Sequence, residues 1–167
     1  WSHDIGGHML GQPTPELYTR WIQFGVFSPI LRTHTSKTVE SERRVFHYPE
    51  PFRSVMTASL HRRYEMAPYI YGEMRKAFDS GVSIVRPMYY DWPEENNAYK
   101  YKDQYMFGGD MLVAPVVQPQ NPDDEMSEVS VWLPAGEWYD TATGTLLEGG
   151  KVHKRRYTLE EIPVFVR

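Results

Sequence analysis

The feature that most constrains this chain is a change of texture at Gly81. Before it, apolar residues recur at helical spacing. After it, short β-branched runs alternate with turn residues. A chain of 167 residues with that division accommodates two small units. The expectation is a helix-bearing region over 1–81 and an all-β region over 82–167, the latter of a size suited to a small sandwich.

In the first region, Gly6-Gly7, Gly11 and Pro13 mark residues 1–13 as loop. Thr14 suits an N-cap, Pro15 the first helical position and Glu16 the first turn of a helix over 14–26. Leu17, Trp21 and Phe24 form its expected apolar face. Phe27–Leu31 reads as a short buried strand, with Arg32-Thr33-His34 at its C-terminal end, and residues 35–50 read as a polar loop. A long helix is expected from Pro51-Phe52, with Val55, Met56, Tyr64 and Ile70 on one face, a kink at Pro68 and an end at Gly81. In the second region, Val82–Val85, Met111–Val117, Glu128–Leu133 and segments within Tyr157–Val166 read as strands. Pro134-Ala135-Gly136 and Thr143-Gly144 read as turns.

Composition removes several functions. The formal net charge of −4 disfavours nucleic acid, and the one basic cluster, Lys151–Arg156, is short and reads as a solvated strand end. With no cysteine, disulfides, thiolate metal sites and a cysteine nucleophile are excluded. No apolar run approaches the ~20 residues needed to span a membrane, so no membrane partner is expected. The first residues are Trp1-Ser2-His3 rather than a methionine, and Val164–Arg167 lies in an apolar run, so a piece of a longer protein is expected, with its last domain truncated. Compartment stays open, and a homo-oligomer is compatible with the sequence. Aromatic residues reach 14%, and aromatic faces pack both cores and sugar rings.

Two constellations can carry chemistry. Asp4 precedes a glycine pair, which lets a ligand approach the backbone; it reads either as an acceptor for two neighbouring sugar hydroxyls or as the cap of a local turn. His34, closing Arg32-Thr33-His34, reads either as a site residue at the strand end or as a satisfied buried histidine. His3, Asp4, His8 and His34 are metal-capable types, but the glycines between His3 and His8 oppose a helical ligand spacing, and no metal or other cofactor is expected. No serine-nucleophile elbow, phosphate loop or dinucleotide fingerprint is present. Asp91 and Asp110, set among turns, are expected to be structural. Tyr89, Tyr90, Trp92 and Trp138 can form either a sugar platform or core.

Seven stretches in order resemble glycoside hydrolase family 31, the α-glucosidases and α-xylosidases: W-S-H-D-I-G-G (1–7), E-L-Y-T-R-W-I-Q-F-G-V-F-S-P (16–29), R-T-H (32–34), A-P-Y-I-Y (67–71), R-P-M (86–88), G-G-D-M-L-V-A-P-V (108–116) and L-P-A-G-E-W-Y-D (133–140). The resemblance implies an α/β plus all-β fold: the C-terminal part of a (β/α)8 TIM barrel in 1–81, then a proximal β-sandwich in 82–167. It implies that Asp4 and His34 line the subsite for the non-reducing sugar of an α-linked oligosaccharide. Arg32 matches the same motif, as ligand contact or structural charge partner. Trp1 and Ile5 are expected to flank the pocket. His8 stands where many members have phenylalanine and borders the acceptor side. The family's aspartate nucleophile and aspartate acid/base precede the D-I-G-G motif. The expected protein is thus a retaining enzyme releasing terminal α-linked glucose, with α-xylosidase, α-transglucosidase or a non-catalytic carbohydrate-binding β module as alternatives. Residues 1–167 alone are expected to be inactive.

Overall fold

The computed structural model describes residues 2–9, 11–37 and 41–167. It forms two compact units, residues 1–70 and 71–167, the division falling inside a helix.

In the first unit, helix α1 (Pro15–Val26) starts as its residues dictate: Thr14 Oγ1 accepts from the Leu17 amide at 3.3 Å, and Pro15 opens the first turn. The buried face differs from the expected one. Tyr18, Ile22 and Val26 are sequestered, while Leu17 is exposed and Trp21 and Phe24 are half-buried. Ile22 and Tyr18 join Ile5, Tyr48 and Met56 in the core of this unit; Trp21 packs at its edge, and Trp21 and Phe24 carry the ring of His3. Gly25 is where α1 meets Ile5; a Cβ there would stand 2.3 Å from Ile5 Cδ1.

The strand expected at Phe27–Leu31 is absent. These residues turn, because Pro29 has no amide for a ladder and Arg63 takes the carbonyls of Val26, Ser28 and Pro29 at 2.6, 2.6 and 3.0 Å. That guanidinium satisfies the C-terminal end of α1, which has no basic residue of its own in its last turn. Pairing begins later, as one parallel bridge between Ile5 and Thr33, with the Ile5 amide donating to Arg32 O at 3.1 Å.

The long helix is two helices, α2 (Phe52–Glu65) and α3 (Ala67–Ser80), parted at Met66. Proline causes the break, but upstream of itself. Pro68 has no amide to donate to Tyr64 O, and the Met66 amide turns to that carbonyl and to Arg62 O as the cap. Tyr64, expected on the apolar face, is exposed, whereas Val55 and Met56 are buried. Gly81 ends α3 in the left-handed region (φ 74°), its amide donating to Ala77 O at 2.9 Å.

The second unit is a sandwich of antiparallel strands. One sheet runs β1–β2–β3–β8–β5–β6 and the other pairs β4 with β7. The strands are β1 (Val85–Pro87), β2 (Tyr105–Phe107), β3 (Met111–Val113), β4 (Ser127–Leu133), β5 (Glu137–Asp140), β6 (Thr145–Glu148), β7 (Lys151–Tyr157) and β8 (Val164–Val166). A short helix, α4 (Asn96–Lys100), lies between β1 and β2. Six strands depart from expectation: β2, β5 and β6 lie where the sequence reading places none. β1 begins at Val85 rather than Val82. β3 stops at Val113, two residues before Pro115. The basic cluster Lys151–Arg156 lies within β7, its side chains largely outward. Val129, Val131 and Leu133 of β4 face Met106, Leu112, Trp138 and Phe165 across one core. Trp138 is buried, so of the four candidate platform aromatics only Tyr89 and Tyr90 are exposed; Trp92 is half-buried with its edge on Trp132. Asp91 pairs with Arg86 at 2.9 Å, a structural role. No described helix is long and apolar enough to cross a membrane.

Candidate functional site

The parallel bridge organises the site. Side chains alternate along a strand, so with Ile5 turned into the core, Asp4 faces the other way. Arg32 and His34 flank Thr33 and share a side by the same rule. Arg32 donates from Nε to Asp4 Oδ1 at 3.0 Å and also from Nη2 to that oxygen. Asp4 Oδ2 lies 3.2 Å from His8 Nδ1. The Arg32 hydrogen bonds, with lesser help from Arg32, His34 and His8 as nearby charges, hold the Asp4 carboxyl below the usual range, so it is ionised at neutral pH.

His8 reaches this point because its loop is stitched to the segment after Thr33. The Ser36 amide donates to His8 O at 2.8 Å and Thr35 Oγ1 to the same oxygen at 3.3 Å. The imidazoles of His8 and His34 then stack, centroids 4.8 Å apart. Asp4, His8 and His34 each present one ligand atom, all within 4.8 Å of one another. Asp4 is partly shielded, while the two histidines are open to solvent.

The match to family models decides the lineage. The model described as the glycosyl hydrolases family 31 TIM-barrel domain matches residues 1–73, and the one described as the glycosyl hydrolase family 31 C-terminal domain matches residues 81–167. The chain belongs to glycosyl hydrolase family 31. Its fold is therefore the end of a TIM barrel followed by a β-sandwich. An alpha-xylosidase from Saccharolobus solfataricus is 36% identical over 100% of this chain and 22% of its own length. Alpha-glucosidase 2 from Bacillus thermoamyloliquefaciens is 29% identical over 98% of this chain and 20% of its own. A crystal structure of a family 31 alpha-xylosidase from a soil metagenome, complexed with xylose, superimposes with a TM-score of 0.84 at 35% identity, covering 100% of this chain and 27% of that one. The chain thus spans about a fifth to a quarter of the length of these family 31 relatives.

Of the family 31 site residues named from sequence, Asp4, His34, Arg32 and His8 come together. The Ile5 side chain lies apart from this cluster. It is fully buried against Gly25, because the parallel bridge turns it toward α1. Trp1 lies outside the described residues. His3 is removed from the cluster: Trp21 Nε1 donates to His3 Nδ1 at 2.9 Å, which leaves the Nε2 proton for Ser28 Oγ at 3.1 Å. Burial lowers the pKa of His3 and keeps it neutral.

Sequence reasoning missed Arg43. Its Nη2 donates to Gly6 O and Gly7 O at 2.6 and 2.9 Å, and its Nη1 to Glu42 O at 2.8 Å. The guanidinium lies over the Tyr18 ring at 5.9 Å, and Tyr18 Oη donates to Arg43 O at 2.6 Å. Gly6 (φ 92°) has no room for a side chain, since a Cβ would fall 2.4 Å from Arg43 Nε. The glycine pair after Asp4 thus lets an arginine, not only a ligand, reach the backbone. A lone arginine in a polar loop carries no pattern that would announce this.

Proposed function

We propose that the whole protein is a retaining glycoside hydrolase that releases terminal α-linked glucose from oligosaccharides, and that Asp4 and His34 hold the non-reducing sugar. The convergence of an ionised carboxylate and an exposed imidazole at neighbouring parallel strand ends supports this reading. Asp4 accepts from sugar hydroxyls through Oδ2, while Arg32 holds Oδ1 and fixes the plane of the carboxylate. Charge-assisted bonds of this kind position the anomeric carbon and strengthen as the ring flattens toward the transition state. Asp4 is neither nucleophile nor acid/base. A retaining mechanism uses two carboxyl groups roughly 5 Å apart, and we assign both to parts of the barrel outside residues 1–167. Arg32 acts as charge partner to Asp4, and His8 borders the acceptor side. Residues 1–81 serve as barrel and 82–167 as its sandwich.

The test is hydrolysis of aryl α-glycosides by the full-length protein. Release from the α-glucoside is the expected result. A second reading, α-xylosidase, is favoured by the name and bound xylose of two of the relatives. Release from the α-xyloside alone would establish it and refute the glucose assignment.

A further inference from the structure

We propose that Asp4, His8 and His34 form a binding site for a divalent transition-metal ion of the zinc class, and that the bound ion excludes the sugar. The second clause rests on the sugar-holding reading above; the first does not.

Two imidazoles and one carboxylate are a donor set that suits zinc and its neighbours, not calcium or magnesium, which take six or more oxygens. Adjacent ligands of a tetrahedral zinc with bonds near 2.0 Å stand about 3.3 Å apart. Asp4 Oδ2 and His8 Nδ1 are already at 3.2 Å, and one donor atom from each of Asp4, His8 and His34 lies within 4.8 Å of the other two. Closing that last gap requires the exposed His34 ring to turn out of its stack on His8.

The surroundings pre-set the carboxylate. Both Arg32 hydrogen bonds fall on Oδ1, so Oδ2 is the oxygen aimed at the imidazoles. An outer partner that orients a ligand in this way is what metal sites use. The Ser36 amide bond to His8 O, and the bonds from the Arg43 guanidinium to Gly6 O and Gly7 O, hold the loop that carries His8. The histidines face solvent, which supplies an entry path and an open fourth position for water. Arg32 opposes the ion through its own charge. The expected affinity is therefore micromolar rather than that of a structural zinc site.

The exclusion follows from shared atoms. An ion held between Asp4 and the two imidazoles occupies the space in which Asp4 Oδ2 and His34 would meet the sugar hydroxyls, so ion and sugar compete for one place. His8 supplies the third ligand, and a phenylalanine there would leave only two.

The test titrates zinc chloride into metal-stripped full-length protein by calorimetry. It compares wild type with His8→Phe, His34→Ala and a control, His61→Ala, an exposed position on α2. Circular dichroism confirms that each variant is folded. The expected result is one equivalent of zinc that is weakened about tenfold or more in His8→Phe and in His34→Ala and unchanged in His61→Ala. Equal zinc binding by wild type and both site variants overturns the metal site. A parallel titration with glucose, with and without zinc, separates the two claims. Glucose binding without any zinc binding leaves the sugar reading standing and removes the metal site. Zinc binding that glucose ignores removes the exclusion, and zinc binding without glucose binding removes the sugar reading itself.

Discussion

The barrel portion and the sandwich satisfy their backbones by different means. In the sandwich, ladders take up most of the polar groups: β4 and β7 alone pair over seven positions, and the core between the sheets holds two tryptophans, Trp132 and Trp138. In the first unit a single bridge, Ile5 to Thr33, is the parallel pairing among the described residues. There arginines stand in for a ladder. Arg63 takes three carbonyls after α1, and Arg43 takes the two glycine carbonyls beside Asp4. The lesson is that the loops around the candidate site, beside the core of their unit, are held by few side chain-to-backbone bonds. The region without it is held by many ordinary ones. A single substitution should therefore disturb the site more readily than an equal one disturbs the sandwich.

The comparison can be broken first at Asp4. Asp4→Ala in the full-length protein should lower kcat/KM by about 10³-fold, equivalent to about 4 kcal/mol of transition-state binding, in a protein that stays folded. Unaltered kinetics would remove Asp4 from the sugar site. Next, Trp138→Ala should cost about 3–5 kcal/mol in denaturant unfolding of the sandwich, through the cavity it leaves. A loss of sugar affinity as large as that of Asp4→Ala would blur the division of labour. Arg43→Met should cost about 2–3 kcal/mol, since the buried Gly6 carbonyl and the partly buried Gly7 carbonyl lose their donor. Unlike Trp138→Ala it should also raise KM, because the glycine loop behind Asp4 loses its clamp. Stability loss with KM untouched would make Arg43 a purely structural residue.

The smallest effect concerns Glu42. Hydrogen bonds from the Arg44 guanidinium and amide, with a lesser one from the Arg43 amide at 2.9 Å, hold its carboxyl at about 2, below the ordinary 4.5. A depressed folded-state value stabilises above the unfolded value and is lost as the folded group takes its proton. The gap in melting temperature between wild type and Glu42→Gln should therefore be full above pH 4.5 and close as pH falls to about 2. A gap that widens on acidification would reverse the sign of this cluster's contribution.

Local chemistry determined much of this protein from the sequence alone. Thr14 and Pro15 start α1 and Gly81 ends α3, because a cap or a left-handed residue acts within one turn of chain. The alternation of β4 marks its inner face, since a strand's side chains alternate whatever it packs against. The motif order carries the family for the same reason, being written along the chain. The tertiary structure decided what depends on distant partners. Arg63 turned an apolar run into a bend, the Ile5–Gly25 contact chose the buried face of α1, and Arg43 found the glycine carbonyls. His8 meets His34 only because a backbone bond from Ser36 closes two loops, 28 residues apart, onto one point. Such meetings arise from hydrogen bonds and packing across folded space, and spacing along the sequence does not encode them.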